Sequence, residues 1–102
     1  MSAISQKNAE FLIRSRIADA ERGDVDALFD LGVAYSTGRG GVAVDLVEAH
    51  KWFNLAALSG CTRGQACRAE ISVEMTAREI AEAQKQARAW LGAAQGPQRL
   101  VA

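Results

Sequence analysis

One proline, two cysteines and a single histidine in 102 residues close off several classes of protein at the outset. With Pro97 alone, and near the end, almost nothing in the chain interrupts long helices. Cys61 and Cys67 would sit about a turn and two-thirds apart on one predicted helix, on opposite sides, which a disulfide cannot bridge without unwinding it. Both are expected to be reduced. Zinc asks for about four ligands, and His50 stands alone with no Cys-x-x-Cys nearby, so no metal is expected. A chain of this length buries a modest core, and no long insertion is present to hold a cofactor.

Excess charge of one sign is missing too. Lys and Arg total 12 against 12 Asp and Glu, the signs alternate along the chain, and no basic face offers counterion release to a nucleic acid. The opening stretch MSAISQKNAEFLIRSRIADA is broken by Lys7, Glu10, Arg14 and Arg16 and has no apolar core of signal-peptide length. No later stretch approaches a membrane span. The expectation is a soluble protein of a reducing, cytoplasmic compartment, without nucleic acid and without membrane insertion.

What the chain does have is alanine, about a fifth of its residues, a composition that favours helices whose backbones approach closely. Helix punctuation agrees. Thr76 and Glu79 have the spacing of a capping box, with Met75 and Ile80 placed as its hydrophobic staple. Val44, Asp45 and Glu48 repeat the device, Thr62 with Gln65 repeats it again, and Asp24 after Gly23 is a fourth start. Gly23 and Gly60 each follow an Ala-rich turn, where a helix end needs a residue tolerant of the left-handed conformation. These signals predict five helices at about 6–22, 25–37, 46–59, 63–74 and 77–92, with no alternating run long enough for a strand. The fold class is all-α. Ala9, Leu12, Ile13, Ile17 and Ala20 share a face of the first helix; Ile80, Ala83, Ala87, Trp90 and Leu91 share one of the last. The fourth carries only the thin stripe Ala66, Ala69 and Val73. Residues 1–93 read as one helical domain and 94–102 as a frayed tail.

A self-comparison finds a period. ADAERGD at 18–24 and AALSGCT at 56–62 each place an Ala and a Gly three apart, and Gly60 follows Gly23 by 37 residues, the length of a helix pair. Residues 27–60, ALFDLGVAYSTGRGGVAVDLVEAHKWFNLAALSG, resemble one whole Sel-one-like repeat, a relative of the tetratricopeptide repeat. The family's signature falls on Ala27, Leu31, Gly32, Tyr35, Gly38, Gly40, Asp45, Ala49, Trp52, Ala56, Ala57 and Gly60. The resemblance implies a short right-handed solenoid of helical hairpins. One full repeat would lie at about 24–60, half-repeats would flank it, and a capping helix would follow at 76–91. Three departures stand out: GRGGVAVD is one Gly longer than the usual turn, Ala43 replaces a common Pro, and Arg68 takes the place of Leu31 in the next repeat.

On a helical wheel Ala49, Trp52, Phe53, Ala56 and Ala57 cover one broad face, which suits a helix touching partners both within its own repeat and in the next. Small residues, Gly32 among them, let the backbones close, and Trp52 and Tyr35 fill the remaining volume. These residues read as scaffold. His50 falls on the margin of that face and is expected to be a half-exposed surface residue. Glu48 and Lys51 point elsewhere on the helix, so nothing nearby makes it catalytic, and no catalytic residue is assigned. GRGG lacks the Lys-Ser/Thr ending of a nucleotide loop and reads as a turn.

Function is then left to the surface. In the geometry the resemblance implies, the first helix of a repeat lines a concave groove. Here that would present Asp26, Phe29, Val33 and Ser36, with Leu28, Leu31 and Tyr35 facing inward. An apolar strip with a polar rim takes up a partner helix or peptide. A second strip, Val47, Leu55 and Leu58, either packs against the capping helix or supports weak self-association. The resemblance therefore implies a non-enzymatic adaptor or scaffold, and KWFNLAA is similar to bacterial members. The alternative is a small regulatory or inhibitory subunit of a bacterial enzyme.

Overall fold

In the computed structural model the backbone of residues 3–101 and the side chains of residues 8–93 are described. Five helices follow one another: α1 (Ala3–Glu21), α2 (Val25–Thr37), α3 (Leu46–Leu58), α4 (Thr62–Ser72) and α5 (Ala77–Val101), with a single 3₁₀ turn at Arg39–Gly41 between α2 and α3. The helix starts are set by side chains that accept otherwise unpaired amide protons. Asp24 accepts from the Ala27 N–H at 3.3 Å, and Asp45 from the Glu48 N–H at 3.1 Å. At α5 the capping box closes in both directions. The Glu79 N–H donates to Thr76 Oγ1 at 3.1 Å and the Thr76 N–H donates to Glu79 Oε1 at 2.8 Å. The box at Asp45 stays half made, because the Asp45 N–H donates instead to the Tyr35 carbonyl at 2.9 Å.

The expected cap at Thr62 is corrected by one residue. Cys61 is the cap, its Sγ accepting from the Gly64 N–H at 3.3 Å, and Thr62 is the first helical residue. The reason lies in the preceding turn. Gly23 and Gly60 both take positive φ, 93° and 97°, and around each the chain leaves its helix through the same pair of hydrogen bonds. The Gly23 N–H reaches the Ala20 carbonyl and the Asp24 N–H that of Asp19; the Gly60 N–H reaches Ala57 and the Cys61 N–H reaches Ala56. The residue after each glycine is then extended, Asp24 at φ −75°, ψ 107° and Cys61 at φ −82°, ψ 106°. That backbone is the one a cap requires, so whatever side chain follows the glycine takes the role.

α3 is the hub. It packs against α2, α4 and α5, while α2 also touches α4, and α1 rests on α2 and the 3₁₀ turn. A core of Ala20, Leu28, Leu31, Trp52, Leu55 and Ala87 joins α1, α2, α3 and α5. Trp52 and Trp90 meet edge to face with centroids 4.8 Å apart, and the Trp52 indole N–H donates to Glu48 Oε1 at 3.1 Å. Leu55 is buried against this core and Leu58 is exposed, so the strip with Val47 is not a single surface.

Glycine makes the closest approaches. A Cβ on Gly32 would lie 2.5 Å from Phe53 Cε1 and 2.8 Å from its Cγ, so α2 can meet α3 only where no side chain intervenes. On the other side of α3, a Cβ on Gly64 would lie 3.0 Å from the Ala56 Cβ and 3.1 Å from the Phe53 carbonyl. The aromatic ring that fills the space at Gly32 is therefore Phe53, rather than Trp52 or Tyr35.

Two expectations fail here. The stripe Ala66, Ala69 and Val73 faces outward, Val73 being 85% exposed; α4 turns Gly64, Cys67, Arg68 and Ile71 inward instead, because Gly64 allows a contact that a wider side chain would block. And α5 runs on as backbone to Val101 instead of stopping near residue 92, since Ala93, Ala94 and Gln95 favour helix. The side chains of the expected frayed tail lie outside the described residues.

The Gly contacts make a matched pair of predictions. An Ala ordinarily stabilises a helix interior by about 0.5–1 kcal/mol relative to Gly. Gly92→Ala, with nothing within 4 Å of the added carbon, should show that gain in a denaturant melt, whereas Gly32→Ala should lose about 1–3 kcal/mol through overpacking against Phe53. Separately, Thr76→Ala should lower unfolding free energy by about 0.5–2 kcal/mol as the cap of α5 goes, read from the same melts; an unchanged midpoint would mean that the box holds nothing.

Candidate functional site

The surface shared by α2 and α4 carries the residues that sequence assigns to a partner. Asp26, Phe29, Val33 and Ser36 recur at helical spacing along α2; Asp26 is exposed and the other three are half-buried. Phe29 is less free than expected. Its ring packs on the core and lies 5.6 Å from that of Phe53, tilted at 53°, and the Arg63 guanidinium of α4 sits over it at 4.4 Å. The Ser36 hydroxyl turns back to donate to the Val33 carbonyl at 3.2 Å. What this strip offers is the edge of an aromatic ring under a cation, an aliphatic side chain one turn on, and an acid at the end. Arg63 also belongs to this surface; its place as the second residue of α4, matching Asp26 as the second of α2, is the signal in the sequence that could have found it.

The signature residues sit below. Ala27, Leu31, Gly32, Ala49, Trp52 and Ala56 are buried, Tyr35 and Ala57 half-buried, and Gly60 exposed. Burial, with Glu48 and then Asp45 nearby, pushes the Tyr35 hydroxyl above its ordinary range, so the ring stays neutral. In the turn, Gly38 caps α2 at φ 79°, and Gly40 at φ 80° lies inside the 3₁₀ segment.

His50 is corrected outright. It is 2% exposed, and its Nδ1 has no hydrogen-bond partner. The helical wheel of α3 alone puts it at the margin, but α4 brings Arg68, 37 residues after Leu31, against this side of α3, where it donates to Asn54 Oδ1 at 2.6 Å. His50 and Asn54, four apart on α3, are thus drawn under α4 as a polar seam. Burial first, and the positive charge of Arg68 second, hold the His50 pKa below its usual value, so the ring is neutral. Neither cysteine supplies a nucleophile in its place. Cys61 is engaged as a cap, Cys67 has its thiol pushed up by burial, and a raised thiol is a poor source of thiolate. Among the described residues no group of three or more His, Cys, Asp or Glu side chains is placed to hold a metal, and no helix is long and apolar enough to cross a membrane.

No protein-family model matches the chain, and no curated protein or solved structure matches it either.

His50 generates a pH prediction whose sign is fixed. The unfolded ring titrates near 6.5, the folded one lower, so its contribution to stability is complete above about pH 6.5 and is lost as pH falls through the folded value. Stability should fall on acidification across the histidine range, ahead of the carboxylates. Because this is the chain's single histidine, His50→Gln should flatten that part of the curve, measured as unfolding free energy against pH. A curve of unchanged shape in the variant would refute the assignment.

Proposed function

We propose that the chain is a protein–protein interaction module of the Sel-one-like repeat type, a non-enzymatic adaptor that takes a partner segment on the surface shared by α2 and α4. The observation that carries this reading is the recurrence, 37 residues apart, of one complete junction: the glycine turn, its two hydrogen bonds, the extended cap and the small residue inside the next helix, Ala27 in one case and Gly64 in the other. A repeated junction starts α2 and α4 in the same way. Both then rest on α3 and touch each other, as the first helices of successive repeats in a short solenoid would.

Such an arrangement leaves the two helices side by side with Asp26, Val33, Ser36 and the Phe29–Arg63 pair on their outer surface. A partner helix or strand crossing it would bury the ring edge and the valine and set its own acid against Arg63. Nothing in the seam of His50, Asn54 and Arg68 competes as a catalytic centre, since a neutral buried ring with no nucleophile beside it has nothing to activate. The module would act by holding a partner in place.

Site-specific photocrosslinking tests the surface. A crosslinking amino acid at Asp26 or Ser36 should trap one discrete partner in the cells that make the protein, and the same group at the exposed Gln84 of α5 should not. Equal yields from all three positions, or none from Asp26 and Ser36, would remove the proposal.

A further inference from the structure

A second site lies on another side of α2, where α1 meets the turn. α1 is held against the rest of the chain by α2 and the 3₁₀ turn. The turn comes close at Ala9, where a Cβ on Gly41 would lie 3.6 Å from the alanine's own. One turn further along α1 the two surfaces part. Between them is an open cavity of about 230 Å³, with Ile13, Leu31 and Ala34 in its apolar lining and Arg16, Asp30 and Arg39 as its charged groups. Leu12, also in its wall, is 51% exposed, an apolar side chain at the edge of an apolar hollow.

The charges around the cavity are unequal. Arg16 is bonded to Asp19 at 3.4 Å and stands 4.0 Å from Asp30, so the one carboxylate in the cavity wall already faces a guanidinium. Arg39 is exposed, and among the described residues it forms no ion pair. A single uncompensated cation thus stands beside a hollow lined by aliphatic carbon. The hollow is smaller than the roughly 300–1,000 Å³ clefts that enclose whole small molecules, and suits one anchoring side chain.

From this we infer that the α1–turn cavity is a docking site for an acidic peptide segment of a protein partner, one aliphatic side chain entering the cavity and an adjacent Asp or Glu pairing with Arg39. The apolar anchor supplies residence, and the charge pair sets orientation and speeds encounter. The site is separate from the α2–α4 surface and stands whether or not that surface binds anything.

A displayed random heptapeptide library, selected on the full chain and followed by fluorescence anisotropy of the enriched peptides, tests it. Expected are sequences with Leu, Ile, Val or Met beside Asp or Glu, binding that weakens as salt rises, a loss of at least tenfold in Arg39→Glu, and no change in Asp26→Arg. Circular dichroism of both variants should match the parent, since both residues are exposed. Failure to enrich, enrichment of basic or uncharged sequences, equal binding to Arg39→Glu, or loss in Asp26→Arg would each overturn the inference. Dodecanoate provides the remaining arm. If it competes for the cavity and no acidic peptide does, the occupant is a lipid anion and the peptide inference falls.

Discussion

The contact of Phe53 with Gly32 is the constraint on which the rest of the packing depends. The ring lies where a Cβ on Gly32 would have to go, the Phe53 carbonyl on the same residue receives α4 through Gly64, and the ring of Phe29 leans on it from α2. Two helices, α2 and α4, therefore converge on one residue of α3, each through a glycine. Close-packed interiors tolerate little change of volume, so the axis separations on both sides of α3 are set by the absence of two methyl groups. The large residues elsewhere in the core, Leu31, Trp52 and Leu55, fill the space that this spacing leaves.

How much of this was legible in the sequence follows from how local each rule is. Helix number, the all-α class, the caps at Asp24, Asp45 and Thr76 and the turns at Gly23 and Gly60 depend on a few adjacent residues, and they can be read without knowing what packs on what. The faces of helices depend on their neighbours, and there the wheel failed twice. Alanine is nearly indifferent to burial, so Ala66 and Ala69 could not show which way α4 faces, and they led Val73 to the wrong side. His50 was misjudged for the converse reason. Its surroundings are decided by Arg68, eighteen residues later, and a charged residue in a leucine's register was the sign that α3 must answer it with polar groups.

The candidate surface was legible in part. The spacing of Asp26, Phe29, Val33 and Ser36 fixed which residues share a face, but not what covers them. Phe29 is half-buried because Phe53 lies beneath its ring and Arg63 above it, and neither contact is encoded near residue 29. On the proposed reading, a partner meets a cation resting on an aromatic face, which presents charge and apolar area at one point. The hollow beside Arg39 was out of reach of sequence altogether, since it exists only because a glycine-rich turn touches α1 at Ala9 and leaves it a turn later.

The order in which the helices touch has a consequence for how quickly the chain can find its structure. α1 packs on α2, α2 on α3 and α3 on α4, and the other main helix contacts, α2 with α4 and α3 with α5, skip a single helix. Only the meeting of α1 with α5 around Ala20 and Ala87 joins distant parts of the chain, so little loop-closure entropy stands in front of the other steps. Topologies of this kind, built from local contacts, fold in microseconds to milliseconds, and each helix can be received by its predecessor as soon as it forms.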